Sequence, residues 1–209
     1  MESSTTRPRR LGIMGGTFDP VHLGHLVCAE EARWQFDLDE VVWVPAGQPW
    51  QKRDLAPAED RYLMTMLATA PNAAFSVSRI EIDRPGPSYT LDTLRSVRSF
   101  YGAGAELFFI TGADAVLNIL TWKDPDSVLA EARFIAATRP EFDLGPLDLE
   151  RFGRGVSVME IPALAISSTD IRRRVAEGRP IRYLVPAKVA DYIAERSLYR
   201  RLQEVETPT

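Results

Sequence analysis

Cysteine and histidine are scarce in this 209-residue chain, which has one cysteine, Cys28, and two histidines, His22 and His25. A lone cysteine excludes a disulfide framework and a cysteine-rich zinc cluster. Long hydrophobic runs are missing as well. No uncharged apolar stretch approaches the ~18–20 residues that a bilayer crossing needs, so a soluble protein is expected. Neither sign of charge dominates: 25 basic and 29 acidic side chains leave a formal charge of −4. That balance argues against a general nucleic-acid or membrane-surface binder, while allowing a local basic patch. Internal repeats and low-complexity tracts are absent. Residues 1–10, MESSTTRPRR, lack the ~7–15-residue apolar segment of a secretory signal. They are expected to fray, and the cytoplasm is the expected compartment.

What is present points to one compact α/β domain over residues 1–209. Hydrophobic residues make up 45% of the chain, which rules out disorder, and the length suits one core rather than two. Apolar runs at 11–14, 41–44, 107–110, 134–137 and 156–161 read as strands, and 75–82 reads as extended. The run at 107–110, Leu-Phe-Phe-Ile, is the most apolar and is expected near the centre of the sheet. Helical stripes fall at 24–36, 58–70 and 89–100, with two C-terminal helices at 168–177 and 186–196 inside a 166–200 helical element. Strand and helix alternate at roughly 25–35 residues per pair, as in βαβ units winding a Rossmann-like, mainly parallel sheet with helices on both faces. Residues 45–57 and 139–155 carry Pro and Gly without periodicity and read as long surface loops.

In doubly wound sheets ligands bind beyond the carboxyl ends of the strands. The first such end here reads Met14-Gly-Gly-Thr-Phe-Asp-Pro-Val-His-Leu-Gly-His25. Gly15 and Gly16 allow a backbone to approach a phosphate, although the spacing is neither a Walker loop nor a G-x-G-x-x-G fingerprint. His22 and His25, three apart at a helix start, share one face at the positive end of the helix dipole, where anions are favoured. Phosphate binding, two structural histidines and a metal site all remain open from spacing alone, although no H-E-x-x-H pattern supplies a third ligand. A second constellation reads Ile166-Ser-Ser-Thr-Asp-Ile-Arg-Arg-Arg174. Its hydroxyls at Ser167, Ser168 and Thr169 either cap a helix or face an anion. Five arginines against two acids over 166–182 give that stretch a local charge of +3 in a chain that is −4 overall.

GGTFDPVHLGH with ISSTDIR downstream resembles the nucleotidylyltransferase superfamily, and within it the bacterial nicotinate-nucleotide adenylyltransferases. The likeness continues through Ile110-Thr-Gly-Ala-Asp114, Trp122 and Phe134-Ile-Ala-Ala-Thr-Arg-Pro140, covering nearly the whole chain. The resemblance implies adenylyl transfer from ATP to nicotinate mononucleotide, giving deamido-NAD and pyrophosphate. It assigns His22, His25 and Arg172 to the phosphates as catalytic groups. It assigns Gly15, Gly16, Thr17, Phe18, Gly112, Asp114, Arg139, Ser167, Ser168 and Thr169 to ATP, with Asp114 on a ribose. Lys52, Tyr89, Thr90 and Trp122 are assigned to nicotinate mononucleotide, Trp122 by stacking on the pyridine ring and Tyr89 and Thr90 by reading its carboxylate. Mg²⁺ is implied through the ATP phosphates, with no metal ligands on the protein. ATP and nicotinate mononucleotide are the implied partners, with neither nucleic acid nor membrane, and a homo-oligomer is left open. One run departs from the family: where a Pro-Pro-His-Lys-like sequence is usual, this chain has Pro49-Trp50-Gln51-Lys52, so Gln51 stands for the histidine while Lys52 is kept. Adenylyltransferases acting on nicotinamide mononucleotide or phosphopantetheine, and a non-catalytic nucleotide sensor, are the competing readings.

Overall fold

A computed structural model describes residues 7–49, 54–117, 119, 122, 124–138 and 155–200. Six parallel strands form one sheet: β1 (Arg10–Gly16), β2 (Glu40–Pro45), β3 (Phe75–Val77), β4 (Glu106–Gly112), β5 (Arg133–Thr138) and β6 (Val156–Glu160), in the order β3-β2-β1-β4-β5-β6. β1 pairs with β2 on one side and with β4 on the other, Ile13 lying opposite Val42 and Phe109. β1 and the 107–110 run thus occupy the centre, as their apolar content requires. Between them the order reverses, and a crevice opens beyond their carboxyl ends.

Side-chain alternation along these strands feeds two cores, one on each face. Leu11, Ile13, Val42, Val44, Leu107 and Phe109 point to one face. They pack there with α3 (Thr90–Tyr101), α4 (Ala113–Leu117) and α5 (Pro125–Glu131). Met14, Val41, Trp43, Phe108 and Ile110 point to the other. Covering that face are α1 (Leu23–Gln35), α2 (Ala58–Thr69), α6 (Ser168–Ala176) and α7 (Ala187–Glu195). A sheet buried on both faces has strands that read as continuous apolar runs, the pattern seen in the sequence.

Three expectations change. Of the segment expected to fray, residues 7–10 are held: Arg7 bonds Asp39 at 2.7 Å, and Arg9 bonds Glu40 at 2.5 Å. Residues 1–6 lie outside the described residues. The extended run at 75–82 stops as a strand at Val77. Beyond it Asp83 N–H bonds the Arg79 carbonyl, and Gly47 of the β2 loop packs so closely that a Cβ there would sit 2.1 Å from the Glu81 oxygen. The chain turns there instead of prolonging the ladder. The crossover from β4 to β5 carries α4 and α5, which periodicity missed because each is two turns or shorter. The signal for α5 was local: Asp124 accepts from Ser127 N–H at its start, and Pro125 follows at the first helical position. The loop read at 139–155 lies almost wholly outside the described residues.

The loops that leave the strand ends converge on a buried guanidinium. Arg61 is 2% exposed and donates to the carbonyls of Thr17 (2.8 Å), Ala56 (3.0 Å) and Gly47 (3.2 Å). Burial lowers its pKa, while Asp19, Tyr199 and Glu81 act in the opposite direction. Across the same face, α7 docks on α2 through Tyr192, which donates to the buried Asp60 at 2.6 Å.

Replacing Arg61 by Met removes three buried hydrogen bonds and one of the two positive charges that act on Asp19, a loss of about 3–5 kcal/mol. Lys in its place should lose about 2 kcal/mol, because a single ammonium on one stem does not reproduce the planar fork. Urea denaturation with an unchanged m-value checks both, and a variant within 0.5 kcal/mol of the parent, roughly the surface-mutation range, would remove Arg61 from this role.

Candidate active site

At the switch point lies a cavity of about 750 Å³. It brings together nine of the residues expected at the site: Gly15, His22, His25, Gly112, Asp114, Ser167, Ser168, Thr169 and Arg172. The first motif and the second therefore face one another, although α1 and α6 enter from distant parts of the chain.

His22 is the N-cap of α1, with extended φ and ψ of −142° and 171°. Its N–H donates to His25 Nδ1 at 3.2 Å. In the neutral ring that bond fixes the remaining proton on Nε2 and makes Nε2 the donor. The two imidazoles stack at 3.6 Å and 24°, and the Phe18 ring stands edge-on to His25 at 5.3 Å with Trp43 behind it at 5.2 Å. This aromatic column holds the histidine rings in place. Of the first three amides of α1, that of Leu23 bonds the Leu184 carbonyl at 3.0 Å, and that of His25 bonds the His22 carbonyl at 3.0 Å. Among the described residues, the Gly24 amide is the one left for an anion.

The glycines serve a purpose that spacing did not reveal. A Cβ on Gly15 would lie 3.1 Å from Phe109 Cζ, and one on Gly16 would lie 2.9 Å from Phe18 Cε1. Both positions are glycine first because aromatic rings occupy the space of a side chain. Gly15 still offers its backbone to the cavity. Phe18, assigned to ATP by resemblance, turns its ring into the core at 2% exposure. Neither it nor Thr17 lines the cavity, the Thr17 carbonyl being held by Arg61.

On the opposite wall Ser167 caps α6, accepting from Asp170 N–H at 3.1 Å. Ser168 donates to the Pro20 carbonyl at 2.9 Å, and Thr169 accepts from Arg172 at 3.4 Å. The arginine cluster divides. Arg173 and Arg174 pair with Asp170, lowering its pKa, while Arg172 reaches the cavity and donates to the Asp19 carbonyl at 2.7 Å. On the third side Asp114 lies in the first turn of α4, and Gly112 makes room for it: a Cβ there would sit 2.5 Å from Asp114 Oδ1. Asp114 is the one acid on the described cavity wall, against two histidines and an arginine, so the wall suits an anion. Among the described residues no cluster of three or more His, Cys, Asp and Glu side chains is placed to hold a metal ion, and no helix is long and apolar enough to cross a membrane.

Other expected residues stand apart from this cavity. Trp122 is half-buried and leans on Phe109 and Phe134 at 6.2 and 6.3 Å. Tyr89 is the N-cap of α3, and Thr90 begins that helix. Lys52, with Trp50 and Gln51, and Arg139 lie outside the described residues. The sequence reading missed Cys28, Thr111, Thr138 and the segment containing Ile161, Leu164 and Ile166, all of which line the cavity. Thr138 ends β5, next to the switch point, so the strand-end rule was the available signal. The 161–166 segment has no period to read.

Comparison with known proteins agrees with this geometry. The cytidylyltransferase-like family matches residues 13–174. A curated relative from Moorella thermoacetica is 58% identical over 203 residues, 93% of this chain and 94% of its own. One from Streptomyces coelicolor is 59% identical over 189 residues, 90% and 99% respectively. Both are named "Probable nicotinate-nucleotide adenylyltransferase". Among solved structures, the Plasmodium falciparum nicotinic acid mononucleotide adenylyltransferase complexed with NaAD superposes with a TM-score of 0.78 at 20% identity, covering 91% of this chain and 97% of its own. That likeness establishes the Rossmann-like fold.

Burial raises the Cys28 thiol to about 12. Although Cys28 lines the cavity, native protein at pH 8 should not react with a thiol reagent, and one equivalent per chain should appear on denaturation. Rapid native labelling at pH 8 would show the thiol to be open and acidic.

Proposed function

From this chain's membership of the nicotinate-nucleotide adenylyltransferase family, within the cytidylyltransferase-like proteins, we infer that it transfers the adenylyl group of ATP to nicotinate mononucleotide and releases pyrophosphate. It is a nucleotidyltransferase of NAD biosynthesis, and the product is deamido-NAD. The observation that carries the reading is the convergence of the His22/His25 helix start and the Arg172 helix start on one anion-suited cavity.

The 5′-phosphate of nicotinate mononucleotide is already an anion, so no general base is required. One of its oxygens forms a bond to the α-phosphorus of ATP as the bond from that phosphorus to the bridging oxygen breaks. The electron pair leaves with pyrophosphate. Catalysis then rests on placement and on meeting the moving charge. His25 Nε2–H, fixed as a donor by the His22 amide, faces the α-phosphate, with His22 beside it. Arg172 and the α6 start take the β- and γ-phosphates. The Gly15 backbone and the Gly24 amide support the same chain of phosphates, and Asp114 accepts from ribose hydroxyls.

Mg²⁺ fits this wall only as an ion carried on phosphate oxygens, because the described wall offers no carboxylate beyond Asp114. Bound there it neutralises phosphate charge. For the acceptor, the exposed part of the Trp122 ring stacks on the pyridine, and the α3 start at Tyr89 and Thr90 reads the carboxylate. Lys52 is assigned to the mononucleotide phosphate and Arg139 to ATP. Two small anionic substrates, not a nucleic acid, suit a chain of charge −4 with a local basic wall, and the cytoplasm is the compartment proposed for it.

A pyrophosphate-release assay with ATP and Mg²⁺ tests the reading. Nicotinate mononucleotide should be turned over, with nicotinamide mononucleotide and phosphopantetheine far behind. Equal rates on the first two would sink carboxylate reading, and ATP binding without pyrophosphate release would mark a sensor. His25→Ala should lower turnover by about 10²–10³ with only the small drop in melting temperature that a lost cap bond brings; near-normal turnover would remove His25 from the phosphates.

A further inference from the structure

Asp19 sits in the first motif between Phe18 and Pro20, at 1% exposure, and neither its spacing nor the reaction above gives it a task. A carboxylate buried to that degree persists only with donors and counter-charges around it. Its Oδ1 accepts from Tyr199 O–H at 2.7 Å and from Ala56 N–H at 3.3 Å. Its Oδ2 is buried with no hydrogen-bond partner among the described residues, and faces Arg172 Nη1 at 3.7 Å. The same Nη1 donates to the main-chain oxygen of Asp19 at 2.7 Å. Both oxygens of one residue therefore act on the guanidinium assigned to the phosphates. One side of the carboxylate is pinned by Tyr199, and the other is turned to Arg172. Next to it, Ser168 holds the Pro20 carbonyl, so α6 and the 19–20 turn are joined at two points.

Tyr199 is itself held in an unusual backbone state. Its φ is +62°, a left-handed value that a tyrosine takes only when its surroundings impose it. Burial and the adjacent Asp19 push its hydroxyl well above the ordinary tyrosine range, so it stays protonated and a donor.

We propose that Asp19 and Tyr199 are positioning residues for ATP, holding the Arg172 guanidinium oriented at the mouth of the phosphate cavity before the nucleotide arrives. This rests on the assignment of Arg172 to the phosphates. Without the tether the long arginine side chain samples several rotamers, and ATP binding has to order it. The effect is expected on ATP, because Arg172 is assigned to its phosphates and Tyr89, Thr90 and Trp122 do not line the cavity that Arg172 lines.

Steady-state kinetics of Tyr199→Phe, Arg172→Lys and the double variant test this, with calorimetric titration of ATP alone alongside. Tyr199→Phe should raise KM for ATP about three- to tenfold, leave KM for nicotinate mononucleotide within about twofold, and add little on top of Arg172→Lys, as expected for residues acting through one network. Asp19→Asn, which keeps an acceptor for Tyr199 but removes the charge, should move KM for ATP in the same direction. Multiplying effects of Tyr199 and Arg172, or a parallel rise in both KM values with a falling melting temperature, would show a merely structural contact and overturn the proposal. Calorimetry keeps the two readings apart. If the protein releases no pyrophosphate with nicotinate mononucleotide but Tyr199→Phe still weakens ATP binding, the acceptor is wrong and the tether stands.

Discussion

A guanidinium without water has to find its hydrogen-bond partners inside the protein, and Arg61 finds them on the two loops that follow β1 and β2. The carbonyls of Thr17, Gly47 and Ala56 come from the loop after β1 and from the two ends of the loop between β2 and α2. A planar fork is the side chain that reaches three such acceptors at once. Its positive charge is met by Asp19, which in turn carries Tyr199 and faces Arg172. The carboxyl edge of the sheet, where loops are ordinarily the least fixed part of a domain, is thus tied through buried polar contacts. Remove the central cation and the phosphate wall loses its shape along with its stability.

On that fixed edge the chemistry asks for little else. Two helix starts from the same face of the sheet, α1 and α6, bring donors to one cavity, and α4 adds an acceptor from the other face. The imidazoles are stiffened by an aromatic column reaching Trp43, and the arginine by the carbonyl and carboxylate of one aspartate. A phosphoryl-type transfer with an ionised nucleophile gains chiefly from donors that do not move when charge shifts.

Legibility in the sequence follows the range of the interaction. Strand β4 was readable as central, and β1 as a buried strand, because burial on both faces leaves no polar position in the run. His22, His25 and the ISSTDIR segment were readable because a helix start concentrates its consequences in a few adjacent residues. Arg61, Asp19 and Tyr199 were not, because each owes its role to partners far away in the chain. Asp19 looks like a turn residue, Arg61 like a solvated position on α2, and Tyr199 like a frayed end. Gly15 and Gly16 were recognised for a sound general reason, and the rings of Phe109 and Phe18 add a second, since a Cβ at either position would crowd them. Short elements failed for a different cause: α5 spans seven residues, too few for a period to show.

The distance along the chain between Asp19 and its partners has a consequence for how the protein comes into being. Arg172 lies 153 residues from it and Tyr199 lies 180. Closing such long loops is slow, and its entropic cost falls due before the contacts return anything. A chain still being synthesised has the histidines long before it has the arginine. Nucleotide binding senses whether the first and last parts of the molecule have met. By mass action, a nucleotide bound to a site built from both parts stabilises the chain in which they have met.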